Sequence, residues 1–374
     1  MKLRFEPVRR LCQEAVSNDV APGFVVLVAQ GGQLQFHEAF GWRQVMPRQL
    51  PTFPDTVYDV ASLTKAVVTS VLAMRAVGGG KLDLDEPVAR RLPEFDGPGR
   101  EAVTVRQLLS HSSGLPAHRP FWKQATDADS ERWAISLAAA REPLEYSPGT
   151  MSIYSDLGFI LLGWLLERAT EHRLDALAAA DIFRPLGLEG AAPFAGFVNL
   201  AESDARARLL AERSVAATQQ CPERGRIVLG EVDDLNAYAM GGIAGHAGLF
   251  ADAAAVSAIA GALVAAWRGD GGLVDRDVVR EFWAPARVPA STWRLGWDGP
   301  AASGSQAGGR ISRAAVGHLG FTGCSLWIDP ERETWIVLLS NRVHPAVPTH
   351  DRFRVFRPKL HDAALEALGY EAGP

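Results

Sequence analysis

The stretch GFVVLVAQGGQLQFHEAFG, residues 23–41, decides how the rest of the chain is read. Two short β-rich runs flank Gly31-Gly32, a pairing that predicts a tight hairpin. A matching pattern lies near the other end. There GCSLWIDP (323–330) and TWIVLLSN (334–341) flank the turn residues Pro330-Glu331-Arg332-Glu333, a second antiparallel hairpin. Between the hairpins the sequence is alanine-rich and mostly helical in spacing. LGFILLGWLLERATE (157–171) and AAVSAIAGALVAAW (254–267) read as buried helices, and RPKLHDAALEALGY (357–370) as a C-terminal helix closed by Gly369. The first twenty residues predict an amphipathic helix with Leu3, Val8, Leu11 and Val16 on one side.

Strands at both ends with helices between them predict an α+β fold. Its antiparallel sheet is expected from residues 1–60 and 290–374, flanked by helices, with residues 61–289 inserted as a mainly helical lobe. The segment GPAASGSQAGGR (299–310) is the expected mobile loop.

Hydrophobic residues make up 47% and charged residues 22% of the 374, which excludes a disordered, collagen-like or coiled-coil chain. The net charge of −5 is spread without long runs, so no nucleic-acid surface is expected. Cys12, Cys221 and Cys324 are too few and too scattered for a disulfide framework or a zinc site. No stretch approaches the ~18 uninterrupted apolar residues of a membrane span. The N-terminal stretch lacks the apolar centre and cleavage site of a secretory signal, and a cytoplasmic location is the expectation.

The chemistry starts at VASLTKAVVTS, residues 60–70, which holds one of only five lysines. Ser62 and Lys65 sit three apart at the start of a helical run and so share a face. A helix start also supplies unpaired N–H groups and a positive dipole end. A serine there can attack a carbonyl while the lysine steers its proton and the N–H groups hold the oxyanion. A capping serine beside a solvated lysine has the same local sequence, so the motif needs partners. One candidate is SIYSDLGFILLG (152–163), where Tyr154 and Asp156 precede a helix. A lysine ammonium beside Tyr154 favours its phenolate, which would fit the tyrosine as general base despite a usual pKa of ~10. The other is GHLGFTGCSLWIDP (317–330), where Gly320 and Gly323 let a ligand approach the backbone after His318.

In this order, S-x-x-K, Y-x-N (here Y-x-D) and K-T-G (here H-x-G) resemble the serine β-lactamase and penicillin-binding-protein superfamily. VTVRQLLSHSSGLP (103–116), KLDLDEPVARRLPEF (81–95) and FRPLGLEG (183–190) are similar to connecting segments of its class C β-lactamase-related branch. GEVDDLNAYAMGGIAGHAGLF (230–250) and LLSNRVHP (338–345) resemble its muropeptide-associated members. Those include D-alanyl-D-alanine carboxypeptidase-like and N-acetylmuramoyl-L-alanine amidase-like proteins. The resemblance spans residues 5 to 368 and implies one catalytic unit.

By that resemblance Ser62 is the acylated nucleophile, Lys65 its proton partner and Tyr154 the general base. Asp156, where Asn is usual, would bond Lys65 or a substrate amide; His318 stands where Lys is commoner. The oxyanion would lie between the N–H groups of Ser62 and of Phe321, the residue after Gly320. The implied function is a serine hydrolase acting through an acyl-enzyme on a small amide or ester, such as a peptidoglycan fragment or a β-lactam. A broad carboxylesterase and a muropeptide-binding sensor with little turnover are the alternatives. The extra charge of Asp156 should keep Lys65 protonated and shift base duty to Tyr154. His318, with an ordinary pKa near ~6.5, should be mostly neutral at pH 7 and charge as the pH falls, weakening carboxylate recognition. His111 reads as a turn residue and His246 as a lining of the cleft or a structural residue. Glu231, Asp233, Asp234 and His246 lack a metal-ligand template, and neither a metal nor a cofactor is expected. Oligomeric state is not legible.

Overall fold

The computed structural model describes residues 2–124, 128–285, 287–349 and 352–371. Its main sheet has six antiparallel strands in the order β3-β2-β1-β11-β10-β9. The N-terminal contribution is β1 (Gly23–Gln30), β2 (Gln33–Gln44) and the short β3 (Leu50–Pro51). The C-terminal one is β9 (Val316–Leu319), β10 (Ser325–Asp329) and β11 (Thr334–Ser340). Three shorter strands, β4 (Tyr58–Asp59), β5 (Ala195–Phe197) and β8 (Leu249–Ala251), form a second sheet. The remaining pair, β6 (Gln220–Cys221) and β7 (Arg226–Ile227), stands alone. This is the α+β, antiparallel class expected from the sequence.

Both predicted hairpins are present. Gly31 and Gly32 take φ of 58° and 71°, the left-handed values that a two-residue turn matching the strand twist requires. The join between the chain ends is β1 against β11, with Phe24 opposite Ser340 and Val28 opposite Ile336. Unbroken hydrophobicity in β1 follows from its central position. Phe24, Val26 and Val28 pack under helices on one face, while Val25, Leu27 and Ala29 enter the larger core on the other.

The first face is covered by α1 (Glu6–Ser17) and by the C-terminal helix α5 (Arg352–Ala367). Leu3 departs from the expected stripe and is 86% exposed. The α-helix starts only at Glu6, with Pro7 in its first turn, so Leu3 lies outside it and Phe5, Cys12 and Ala15 complete the buried side. The opposite core holds α2 (Val71–Gly78), α3 (Asp156–Thr170) and α4 (Ala253–Arg268). Before α2 the chain makes a π-helical stretch, Lys65–Ser70, buried throughout, where the sequence predicts a regular α-helix. Ser70 Oγ donates to Lys65 O at 2.7 Å there, a bond five residues back that suits the wider turn. The loop expected to be mobile is tied to α5: the N–H groups of Gly309 and Arg310 donate to Asp362 Oδ1 at 2.8 and 3.0 Å. Among the described residues no helix is long and apolar enough to cross a membrane.

Candidate active site

Ser62 sits on a strained turn that ends β4. Ala61 has φ 49°, uncommon for a residue with a Cβ. The buried Asp59 holds that conformation, its Oδ1 accepting from Ala61 N at 2.8 Å and its Oδ2 from Asp233 N at 2.7 Å. Thr64 Oγ1 closes the turn by donating to Ala61 O at 2.7 Å. These bonds aim Ser62 out of the small sheet toward the cleft.

Lys65 is fully buried, and its Nζ has three acceptors: Ser62 Oγ at 3.1 Å, Asp156 Oδ1 at 2.8 Å and His246 O at 3.0 Å. An ammonium has three N–H donors and no lone pair, so all three are used. Burial works against the charge, but Asp156 and Tyr154 outweigh it and raise the lysine pKa. Burial likewise opposes the charge of Asp156, yet Lys65 and His118 hold its carboxyl well below the usual range. Lys65 is therefore a fixed cation that donates to Ser62. The pair should stabilise the fold fully between the unfolded-state values of ~4 for Asp and ~10.4 for Lys. Its contribution fades as pH falls through the depressed Asp156 value, or rises through the raised Lys65 value. Asp156→Ala should cost about 3 kcal/mol in urea unfolding at pH 7, the lower end for breaking a buried pair, since Asp156 keeps 18% side-chain exposure. A loss under about 1 kcal/mol would contradict this reading.

Tyr154 reaches the same point from the other side, its ring centroid 4.8 Å from Lys65 Nζ. The loop carrying His111 grips the Tyr-x-Asp segment. Ser155 N donates to His111 Nδ1 at 3.1 Å, and Ile153 N donates to His111 O at 2.9 Å. Asp156 N donates to Ala117 O at 2.8 Å, and Ser155 Oγ caps α3 by accepting from Gly158 N at 3.2 Å. His111 also packs its ring 4.8 Å from Tyr154 and 4.4 Å from Trp293, while Trp293 stacks on Tyr154 at 5.4 Å. Burial raises the Tyr154 pKa, and the lowering by Lys65 does not overcome it. This corrects the expectation of a favoured phenolate: the resting side chain is a neutral phenol.

His318 lies on the edge strand β9 and, with Ser62, Tyr154, Trp293, Gly320 and Phe321, lines a cavity of about 500 Å³. Its Nδ1 is 2.8 Å from Leu319 O. A carbonyl only accepts, so Nδ1 carries the proton and Nε2 is a bare lone pair, buried with no partner among the described residues. Burial, then Lys65, pushes the His318 pKa down to about 3. The expectation that it would charge as pH falls below 7 is thereby corrected. In an NMR titration His318 and His111 should stay neutral from pH 8 to 5. His118, raised chiefly by its hydrogen bond with Asp156, should titrate above ~6.5. A His318 midpoint above pH 6 would contradict this assignment.

Gly320 explains how the edge strand meets the nucleophile turn, because a Cβ there would lie 2.5 Å from Val60 O. Among the described residues, neither Ser62 N–H nor Phe321 N–H donates to a backbone acceptor. Both are free to face a substrate oxygen. Phe321 is 49% exposed at the cavity wall.

His246 does not line the cleft. It is 1% exposed, its carbonyl accepts from Lys65, and its Nε2 is 2.9 Å from Asp234 Oδ1, so it acts as a support behind the lysine. The neighbouring acids are dispersed: Glu231 pairs with Arg226 at 2.7 Å and Asp233 with Gln219 at 3.0 Å. No group of three or more such side chains could hold a metal among the described residues. Two site residues had no usable sequence signal. His118, with Nδ1 3.4 Å from Asp156 Oδ2, and Trp293 reach the site through folding alone.

A family model described as Beta-lactamase matches residues 8–357, and the chain belongs to the beta-lactamase family. It is 30% identical over 346 residues to the "Putative D-alanyl-D-alanine carboxypeptidase" of Escherichia coli K12, covering 87% of this chain and 80% of that one. It is also 30% identical over 376 residues to the N-acetylmuramyl-L-alanine amidase of Bacillus subtilis 168, covering 93% and 84%. The solved penicillin-binding protein homologue from Caulobacter crescentus shares the fold, with TM-score 0.74 and 23% identity over 98% of each chain. The protein is a serine hydrolase of this family.

Proposed function

We propose that the protein hydrolyses a small amide or ester, a peptidoglycan-derived fragment above all, through an acyl-enzyme on Ser62. The observation that carries this is the saturated Lys65 ammonium, whose donation to Ser62 Oγ lowers the energy of a developing alkoxide. A lysine with no lone pair cannot take the serine proton. That proton passes to the Tyr154 oxygen as the phenol gives its own proton to the leaving atom, so the neutral tyrosine is a relay. The oxyanion is held by the N–H groups of Ser62 and Phe321. Water then attacks the acyl group, with its proton returned to Ser62 through the same phenol.

Peptidoglycan chemistry is favoured because relatives at 30% identity carry carboxypeptidase and amidase names. A cytoplasmic setting belongs to the same proposal and fits three buried, unpaired cysteines. The test is pre-steady-state kinetics with a 4-nitrophenyl ester, then turnover of muropeptides followed by mass spectrometry. A burst followed by steady turnover supports a hydrolase. A burst of one equivalent with no turnover of either substrate would make the protein a sensor instead.

A further inference from the structure

Trp293 is the wall between two cavities. It lines the cleft of about 500 Å³ with Ser62, Tyr154 and His318, and it also lines a cavity of about 280 Å³ beside the His111 loop. Among the described residues it is the one member common to both linings. Its backbone is pinned. Trp293 N donates to Ser291 Oγ at 3.1 Å, Gly299 N to Thr292 O at 2.9 Å, and Asp298 N to Gly317 O of β9 at 2.7 Å. Gly296, with φ 80°, seats this hairpin on the core, where a Cβ would collide with Ser70 Oγ. The side chain is held differently. Its indole N–H has no hydrogen-bond partner among the described residues, and its ring contacts are with His111, Tyr154 and His318 at 4.4, 5.4 and 5.6 Å. The second cavity asks for no counter-charge. Arg106 pairs with Asp85 at 2.7 Å and with Glu281 at 2.5 Å, and Arg287 pairs with Glu281 at 3.1 Å. Arg294 donates to the carbonyls of Arg313 at 2.9 Å and Ala314 at 3.2 Å. Ser110 Oγ donates to Arg106 O at 2.8 Å and lies 2.8 Å from Ser112 Oγ. With these groups partnered internally, and Val288 and Leu295 in the lining, the cavity suits an uncharged group.

We propose that Trp293 sets leaving-group specificity: its indole closes the leaving-group side of the cleft, and the cavity behind it is the space that a bulkier uncharged leaving group would occupy. Tyr154 passes its proton to the leaving atom, and Trp293 stacks on Tyr154 with 29° between the ring planes. A group departing past the phenol oxygen therefore meets the indole. Close-packed walls discriminate steeply by size. A single methylene in such a fit changes kcat/KM about 10–200-fold. Compact leaving groups are admitted, and extended ones need the roughly 280 Å³ that Trp293 shuts off.

This specificity rests on the acyl-enzyme reading, and the substrates separate the two claims. One ester pair varies the leaving group on a fixed acetyl (phenyl acetate against 4-phenylphenyl acetate, whose phenols have similar acidity). The other varies the acyl chain on a fixed leaving group (4-nitrophenyl acetate against 4-nitrophenyl octanoate). In the wild type kcat/KM should favour phenyl acetate over the biphenyl ester at least about tenfold. In Trp293→Ala that ratio should fall at least about tenfold, and in Trp293→Phe, which keeps a ring against Tyr154, at least about threefold. The ratio for the acyl pair should stay within about threefold of the wild type in both variants. A leaving-group ratio unchanged in either folded variant, or the two ratios moving together, overturns the assignment and leaves the hydrolase standing. So does a wild type that turns over both acetates alike. Absence of any ester or muropeptide turnover overturns the hydrolase reading itself, and the assignment with it.

Discussion

Ser62→Ala should abolish covalent labelling by a fluorophosphonate probe while the protein still unfolds within a few degrees of the wild type. The turn that presents residue 62 is fixed by Asp59, Ala61 and Thr64, none of which needs the serine hydroxyl. Removal of Oγ leaves Lys65 Nζ with Asp156 and His246 O, and one lost hydrogen bond to a charged group costs about 1.5–3 kcal/mol. Catalysis, by contrast, loses the atom that forms the acyl bond. The rate should fall by several orders of magnitude, to whatever the oxyanion donors and binding alone supply. Labelling retained on another serine would move the nucleophile elsewhere.

Tyr154→Phe should lower turnover on the order of 10²–10⁴-fold with little change in stability. The ring contacts with His111, Trp293 and His318 survive, since only the hydroxyl is removed. A relay through the neutral phenol further predicts a kcat/KM for neutral esters that is nearly flat from pH 7 to 9. If the phenolate were the reactive form, its raised pKa would make the rate climb about tenfold per pH unit over that range. A mere few-fold loss in the variant would make Tyr154 a packing residue.

The sheet was legible because its central strand is apolar on both faces and its hairpins carry turn residues, all local properties of the chain. Ser62, Lys65 and Tyr154 were legible as an ordered set of motifs, and the structure brings their side chains together. What could not be read is the state those side chains adopt. Neutral His318 and Tyr154 follow from burial, which no spacing reveals. Of the two sequence readings of His246 the structural one fits, because its carbonyl, rather than its ring, meets the lysine.

An acyl bond to Ser62 should be captured by rapid-quench mass spectrometry. Wild-type protein mixed with excess 4-nitrophenyl butyrate and quenched in acid within milliseconds should gain the mass of one butyryl group. Peptide mapping should place that group on the segment containing Ser62, and it should decay as ester is exhausted. A modification on any other residue, or steady ester turnover with no adduct at any quench time, would contradict the account.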